Sequence, residues 1–247
     1  MPRFGGGRRL LRRALLVLIS VLAIVIVLVA ALMLATPSVR NAWSLARSQA
    51  TAHGESFPGP RVPARFSGAL IATEDHRFAS EPGFDPLALG RVAWSVVTGK
   101  DQGGATLYQQ LAKLLYARHK SRLTVEVYEL ALGIKLRFSY SREQILRMYA
   151  EVAYFGHGYY GLEQASCGYF GRRPAALTWS QAAVLAGLVQ APSAYDPLEH
   201  PGLARSREGH VVSRLVATGV LSQRRAAAVL AVPINSMLEH AGGCRRT

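Results

Sequence analysis

Cysteine is scarce: the 247 residues hold two, Cys167 and Cys244. Their wide separation excludes a sequence-local thiolate metal site or a redox motif. A disulfide is open to them in an oxidising compartment, but Cys167 sits beside an aromatic stretch and Cys244 in the tail, so two free thiols are expected. The seven histidines are scattered without metal-ligand spacing. Acid is scarce too, with 15 Asp and Glu against 29 Lys and Arg for a formal charge of +14, which calls for an anionic partner. There is no period-2 run of strands, no internal repeat and no Ser-x-x-Lys, and the last absence excludes the serine acyl-enzyme chemistry built on that motif. Half of the residues are hydrophobic, which excludes a disordered chain and allows a good-sized core.

Residues 14–35, ALLVLISVLAIVIVLVAALMLA, carry no charge. At helical rise they cross a bilayer core of about 30 Å. A cleaved signal peptide has a shorter apolar region and a small-x-small exit, so an uncleaved transmembrane helix is expected. Arg3, Arg8, Arg9, Arg12 and Arg13 precede it without an acid, making residues 1–13 a cytoplasmic basic arm with everything after the span outside. Setting those five aside leaves +9 of the +14. Beside a membrane, that charge meets lipid phosphate rather than nucleic acid.

Residues 36–59 read as a stalk, with a helical patch at 41–50 followed by Gly54, Pro58 and Gly59. A domain over 60–235 and a tail over 236–247 follow. Its periodicity is helical. Leu123, Val127, Leu130, Ile134 and Phe138 predict a buried stripe with Glu126 at its edge. Further helices are predicted over 141–149, with Ser141 as N-cap, 180–188 and 222–230. Gly156, Gly158 and Gly161 among Tyr154, Phe155, Tyr159 and Tyr160 predict a tight aromatic turn. Residues 86–100, with Trp94, are apolar enough either to touch a bilayer or a lipid tail or to be buried in the domain core.

The chemistry-bearing residues fall in one ordered set: Glu74-Asp75 with Phe78, Gly103-Gly104-Ala105-Thr106, Gln109-Gln110, Lys113, and Arg122 with Glu126. Carboxylates, a Gly-rich turn and cations suit glycosyl transfer from a phosphate leaving group, which needs a base for the attacking hydroxyl and donors for the departing phosphate. In order and spacing these residues, with Ile145 to Glu151, Tyr154 to Gly161, Tyr169-Phe170-Gly171 and Leu188 to Ser193, resemble the peptidoglycan glycosyltransferase family, in its membrane-anchored monofunctional form.

The resemblance implies a mainly α, lysozyme-like helical domain behind the transmembrane helix. It implies an enzyme polymerising lipid II into β-1,4 glycan strands with release of undecaprenyl diphosphate. Glu74 is implied as the base and Glu126 as a catalytic residue at the donor's diphosphate region, acting through a divalent cation, Mg or Mn, the one cofactor implied. Asp75, Phe78, Thr106, Gln110, Lys113 and Arg122 are implied as substrate-binding residues. Lipid II, the growing strand, membrane lipids and other cell-wall synthesis proteins are the implied partners, on the outer face of the bacterial cytoplasmic membrane. Glu81, Ala105, Tyr108, Leu123 and Glu151 depart from the family pattern. Glu81 adds a repulsive charge and the absence of a Lys at 123 removes a favourable one, so a weakened rate is expected. The alternatives are a non-catalytic scaffold and a lysozyme-type glycan-cleaving enzyme.

Overall fold

The protein is described by a computed structural model covering residues 6–81, 105–116, 122–238 and 244, with the side chains of 6–10 and 122–126 excepted. Two units are distinguished, residues 1–38 and 39–247. The first holds α1, Gly6–Ala35. Its apolar part, Leu11–Ala35, is long enough to cross a membrane.

Among the described residues the second unit is built of helices: α2 (Ala42–Ala52), α3 (Ala64–Glu74), α4 (Leu107–Tyr116), α5 (Arg122–Ser139), α6 (Arg142–Val152), α7 (Leu162–Phe170), a 3₁₀ turn (Pro174–Ala176), α8 (Trp179–Leu188), α9 (Pro201–Ala217), α10 (Gln223–Leu230) and α11 (Ile234–Met237). Among the described residues no strand occurs; one antiparallel bridge joins Tyr154 and Tyr160. Helix α8 is the centre of the core, with every residue from Ser180 to Leu188 buried, as expected of a helix apolar all round. Helices α3 and α9 pack on it and on each other. Helix α4 packs on α5 and α6, and α2 packs on α6.

Local sequence sets several boundaries. Ser141 caps α6 and Gln144 reaches back to it; Thr178 and Gln181 do the same for α8. Each reciprocal pair satisfies two backbone donors that a helix start leaves open. Ser222 caps α10.

Three expectations need correction. The stalk expected over 36–59 belongs, from Val39 on, to the compact unit: Val39, Ala42, Ala46 and Ala50 are buried in its core, because small residues on one helix face allow close packing. Of the stripe expected to be buried on α5, Val127 is 46% and Phe138 76% exposed and Leu130 and Ile134 are only half-buried, while Leu132, Leu136 and Glu129 lie inside. Apolar residues surround this helix, so both faces read as core and neighbouring helices choose between them. Finally, Cys167 and Cys244 form a disulfide across 77 residues, with Cα atoms 4.9 Å apart; sequence distance carries no information on such proximity.

Candidate active site

Glu74 is the last residue of α3 and Asp75 its C-cap, so one backbone turn aims two adjacent carboxylates in different directions. Glu74 faces α4 and α9. Its Oε1 accepts from Nη2 of Arg207 at 2.8 Å, and its Oε2 accepts from Nε2 of Gln110 at 3.2 Å. The ion pair is largely desolvated, with side-chain exposures of 13% for Glu74 and 10% for Arg207. Burial pushes the Glu74 carboxyl above its ordinary range, against the opposing pull of Arg207 and the Gln110 hydrogen bond. A carboxylate made more basic in this way is a better proton acceptor near neutrality.

Each partner is itself fixed. Arg207 also donates from Nε to the Gly187 carbonyl at 3.2 Å and lies 5.8 Å from the Tyr195 ring centroid, within cation–π range. Tyr149 donates its hydroxyl to Oε1 of Gln110 at 2.8 Å. This sets the amide so that its NH₂ faces Glu74, with the Ala105 carbonyl as a second acceptor at 3.3 Å. Tyr149→Phe should leave the fold intact and cost about 1 kcal/mol of transition-state positioning, roughly fivefold in rate, measurable as kcat/KM beside an unchanged melting temperature.

Asp75 points the other way. Its Oδ2 accepts from the backbone N–H of Leu107 at 2.9 Å, an anion at the start of α4 where the helix dipole favours it. Burial, the largest influence, raises its carboxyl, while the Leu107 bond and a side-chain hydrogen bond with Glu81 oppose this. Glu81 is buried as well.

The other expected site residues separate by role. Thr106 is buried and caps α4: its Oγ1 accepts from Gln109 N, and Gln109 Oε1 accepts from Thr106 N. Of the two adjacent glutamines, Gln109 therefore serves the helix and Gln110 serves Glu74. Phe78 is a core residue, its ring stacked on Tyr108 at 4.9 Å, while the Tyr108 hydroxyl is buried without a hydrogen-bond partner among the described residues. Lys113 is exposed on α4, three residues beyond Gln110. The side chains of Arg122, Leu123 and Glu126 lie outside the described residues, as do Gly103-Gly104 and the segment 86–100.

Arg207 was not among the sequence candidates. A signal for it exists: on α9 it falls between the buried Ala204 and Val211, at the three- and four-residue spacings that share a helix face. A cation on the buried stripe of a helix needs an anion opposite.

A family model described as Transglycosylase matches residues 43–216. Penicillin-binding protein 1F of Bacillus subtilis is 36% identical over 67% of this chain and 23% of its own. A Cupriavidus necator protein named as a transglycosylase is 32% identical over 67% of this chain and 72% of its own. Penicillin-binding protein 1A from Haemophilus influenzae, known as a crystal structure, aligns with 23% identity and a TM-score of 0.44 over 72% of this chain and 18% of that one. The chain thus spans about a quarter of the length of the penicillin-binding proteins it matches and most of the length of the C. necator protein.

Proposed function

Because the chain belongs to the transglycosylase family, we propose that it is a membrane-anchored peptidoglycan glycosyltransferase that polymerises lipid II by an inverting displacement, with Glu74 as general base. The observation that carries this reading is the buried Glu74, raised in basicity yet held by Arg207 and Gln110. In the reaction Glu74 takes the proton of the acceptor sugar's 4-hydroxyl, whose oxygen attacks the anomeric carbon of the donor. The bond to the diphosphate breaks in the same displacement, which inverts that carbon. One base and one departing group suffice without a covalent enzyme intermediate. Lys113 and Arg122 are the proposed phosphate contacts. A divalent cation at Glu126 stays in the proposal on family resemblance alone, and no step is assigned to it.

The domain is proposed to stand on the outer face of the cytoplasmic membrane, anchored by α1. Five N-terminal arginines support that orientation, and so does the Cys167–Cys244 disulfide, since such bonds persist in oxidising compartments. Intact cells quenched with acid and treated with a maleimide should yield protein with no labelled cysteine until it is reduced. Labelling before reduction would place the domain inside.

Purified protein given labelled lipid II tests the function directly. Longer strands support the glycosyltransferase, no change supports a scaffold, and shortening of added glycan supports a cleaving enzyme. The tyrosine-backed Gln110–Glu74–Arg207 arrangement favours the first, because a scaffold has no use for a buried, activated carboxylate.

A further inference from the structure

The aromatic turn and the loop between α8 and α9 bring together three residues that the proposed reaction does not use. His157, Asp196 and Glu199 each offer a ligand atom, and these atoms all lie within 4.8 Å of one another. Asp196 is 2% exposed, and its carboxylate is held in place. Oδ1 accepts from Leu198 N at 3.0 Å and Oδ2 lies 3.3 Å from His157 Nδ1. His157 is an exposed non-glycine residue at φ 50° between two positive-φ glycines, Gly156 and Gly158. The turn packs close to the opposite loop: a Cβ on Gly156 would fall 2.7 Å from the Pro192 carbonyl.

The geometry points to a divalent transition-metal site at His157, Asp196 and Glu199, with zinc as the ion it fits best. Two ligands each about 2.0 to 2.1 Å from one zinc at a tetrahedral angle stand about 3.3 to 3.4 Å apart. The His157–Asp196 separation of 3.3 Å has that length. Glu199 is exposed and needs only a swing of its free side chain to close the third edge. One imidazole and two carboxylates favour zinc or a neighbouring transition ion over magnesium or calcium, which take all-oxygen sets. The Leu198 N–H, bonded to Asp196, supplies outer support that orients a metal ligand. Three protein ligands leave a position open, as in zinc sites that bind water or a substrate atom. Sequence spacing did not reveal the set, because 39 residues separate His157 from Asp196 and only folding adjoins them. An occupied site would tie the aromatic turn to the loop that carries Tyr195, the ring beneath Arg207.

Calorimetric titration of tag-free, chelator-stripped full-length protein in detergent with zinc chloride tests this. About one equivalent should bind to the wild type, and cobalt(II) in its place should give visible d–d absorption. His157→Gln and Glu199→Gln, both at exposed positions, should each weaken binding at least about tenfold with an unchanged helical spectrum, and Glu126→Gln should not. The proposal is overturned if the wild type binds no zinc, if binding survives both variants, or if Glu126→Gln alone removes it. None of these readouts depends on glycosyl transfer, so failure here is separable from failure of the proposed reaction.

Discussion

Replacing Arg207 by Met is expected to slow glycosyl transfer at neutral pH by about 10- to 100-fold and to move the acid limb of the pH–rate profile upward. Arg207 is the main influence holding down a carboxyl that burial pushes up. An opposite charge in contact is worth about one to three units of pKa, so its loss raises the Glu74 carboxyl further and leaves it protonated over more of the working range. A protonated Glu74 cannot accept the acceptor's proton, and raising the pH restores the ionised form. The variant should therefore recover rate in alkaline buffer, which a merely misfolded enzyme would not do. Stability should fall as well, toward the low end of the 3 to 5 kcal/mol typical of breaking a buried pair, since both side chains keep slight exposure. Arg207→Met combined with Glu74→Gln should regain most of that stability, because no lone buried charge is left, and none of the activity. A pH–rate profile unmoved by Arg207→Met would remove Arg207 from the site.

The second large effect concerns Glu151, which is 6% exposed at the end of α6. Burial, then repulsion from Glu55 and Glu163, raises its carboxyl from 4.5 to about 7, against Arg147 and a hydrogen bond from the Gly59 backbone. The folded chain thus holds a proton here that the unfolded chain releases near 4.5. Stability from this group is complete below that value and is lost as pH rises through about 7. At 1.36 kcal/mol per unit the loss is about 3 kcal/mol. Glu151→Gln keeps the shape and removes the titration. Denaturant unfolding at pH 4.5 and pH 8 should show the variant close to the wild type at the lower value and more stable by up to about 3 kcal/mol at the higher. Because Glu74, Asp75 and Glu208 also carry raised carboxyls, the quantity to read is the difference between variant and wild type. Equal stability of the two at both values would contradict the assignment.

Glu151 and Glu81 also show how the departures from the family pattern are absorbed. Neither stands among the groups bonded to Glu74. Glu81 is buried on the Asp75 side of the turn, and Glu151 lies against Gly59, whose position leaves no room for a Cβ beside that carboxylate. Tyr108 stacks on Phe78 in the core. Ala105 supplies its backbone carbonyl to Gln110, a contact independent of its side chain. Among the described residues, the departures therefore leave the surroundings of the base complete.

Legibility in the sequence followed the range of the interaction. Capping residues act over three positions, so Ser141 could be read directly. The long apolar helix α1 follows from composition alone. Glu74 was legible only as part of an ordered set of motifs, since an acidic pair by itself is an ordinary helix end. What depended on tertiary proximity was not legible: the 167–244 disulfide, the reach of Arg207 across 133 residues to Glu74, and the inward face of α5. On that helix Leu132 and Leu136 compete with Val127 and Phe138 on equal hydrophobicity, and only the packing of α4 decides between them. Gln109 and Gln110 were equivalent in sequence until the start of α4 claimed one of them.

The central claim is that Glu74 acts as the base of a lipid II polymerase. Its most direct test is the rate at which purified full-length protein and its Glu74→Gln variant convert labelled lipid II into polymer, since the amide retains the shape and the hydrogen-bonding reach of the carboxylate while removing its basicity. The wild type should form strands, and the variant should be slower by about 10² to 10⁴, the usual contribution of a general base; polymer made by both at the same rate would contradict it.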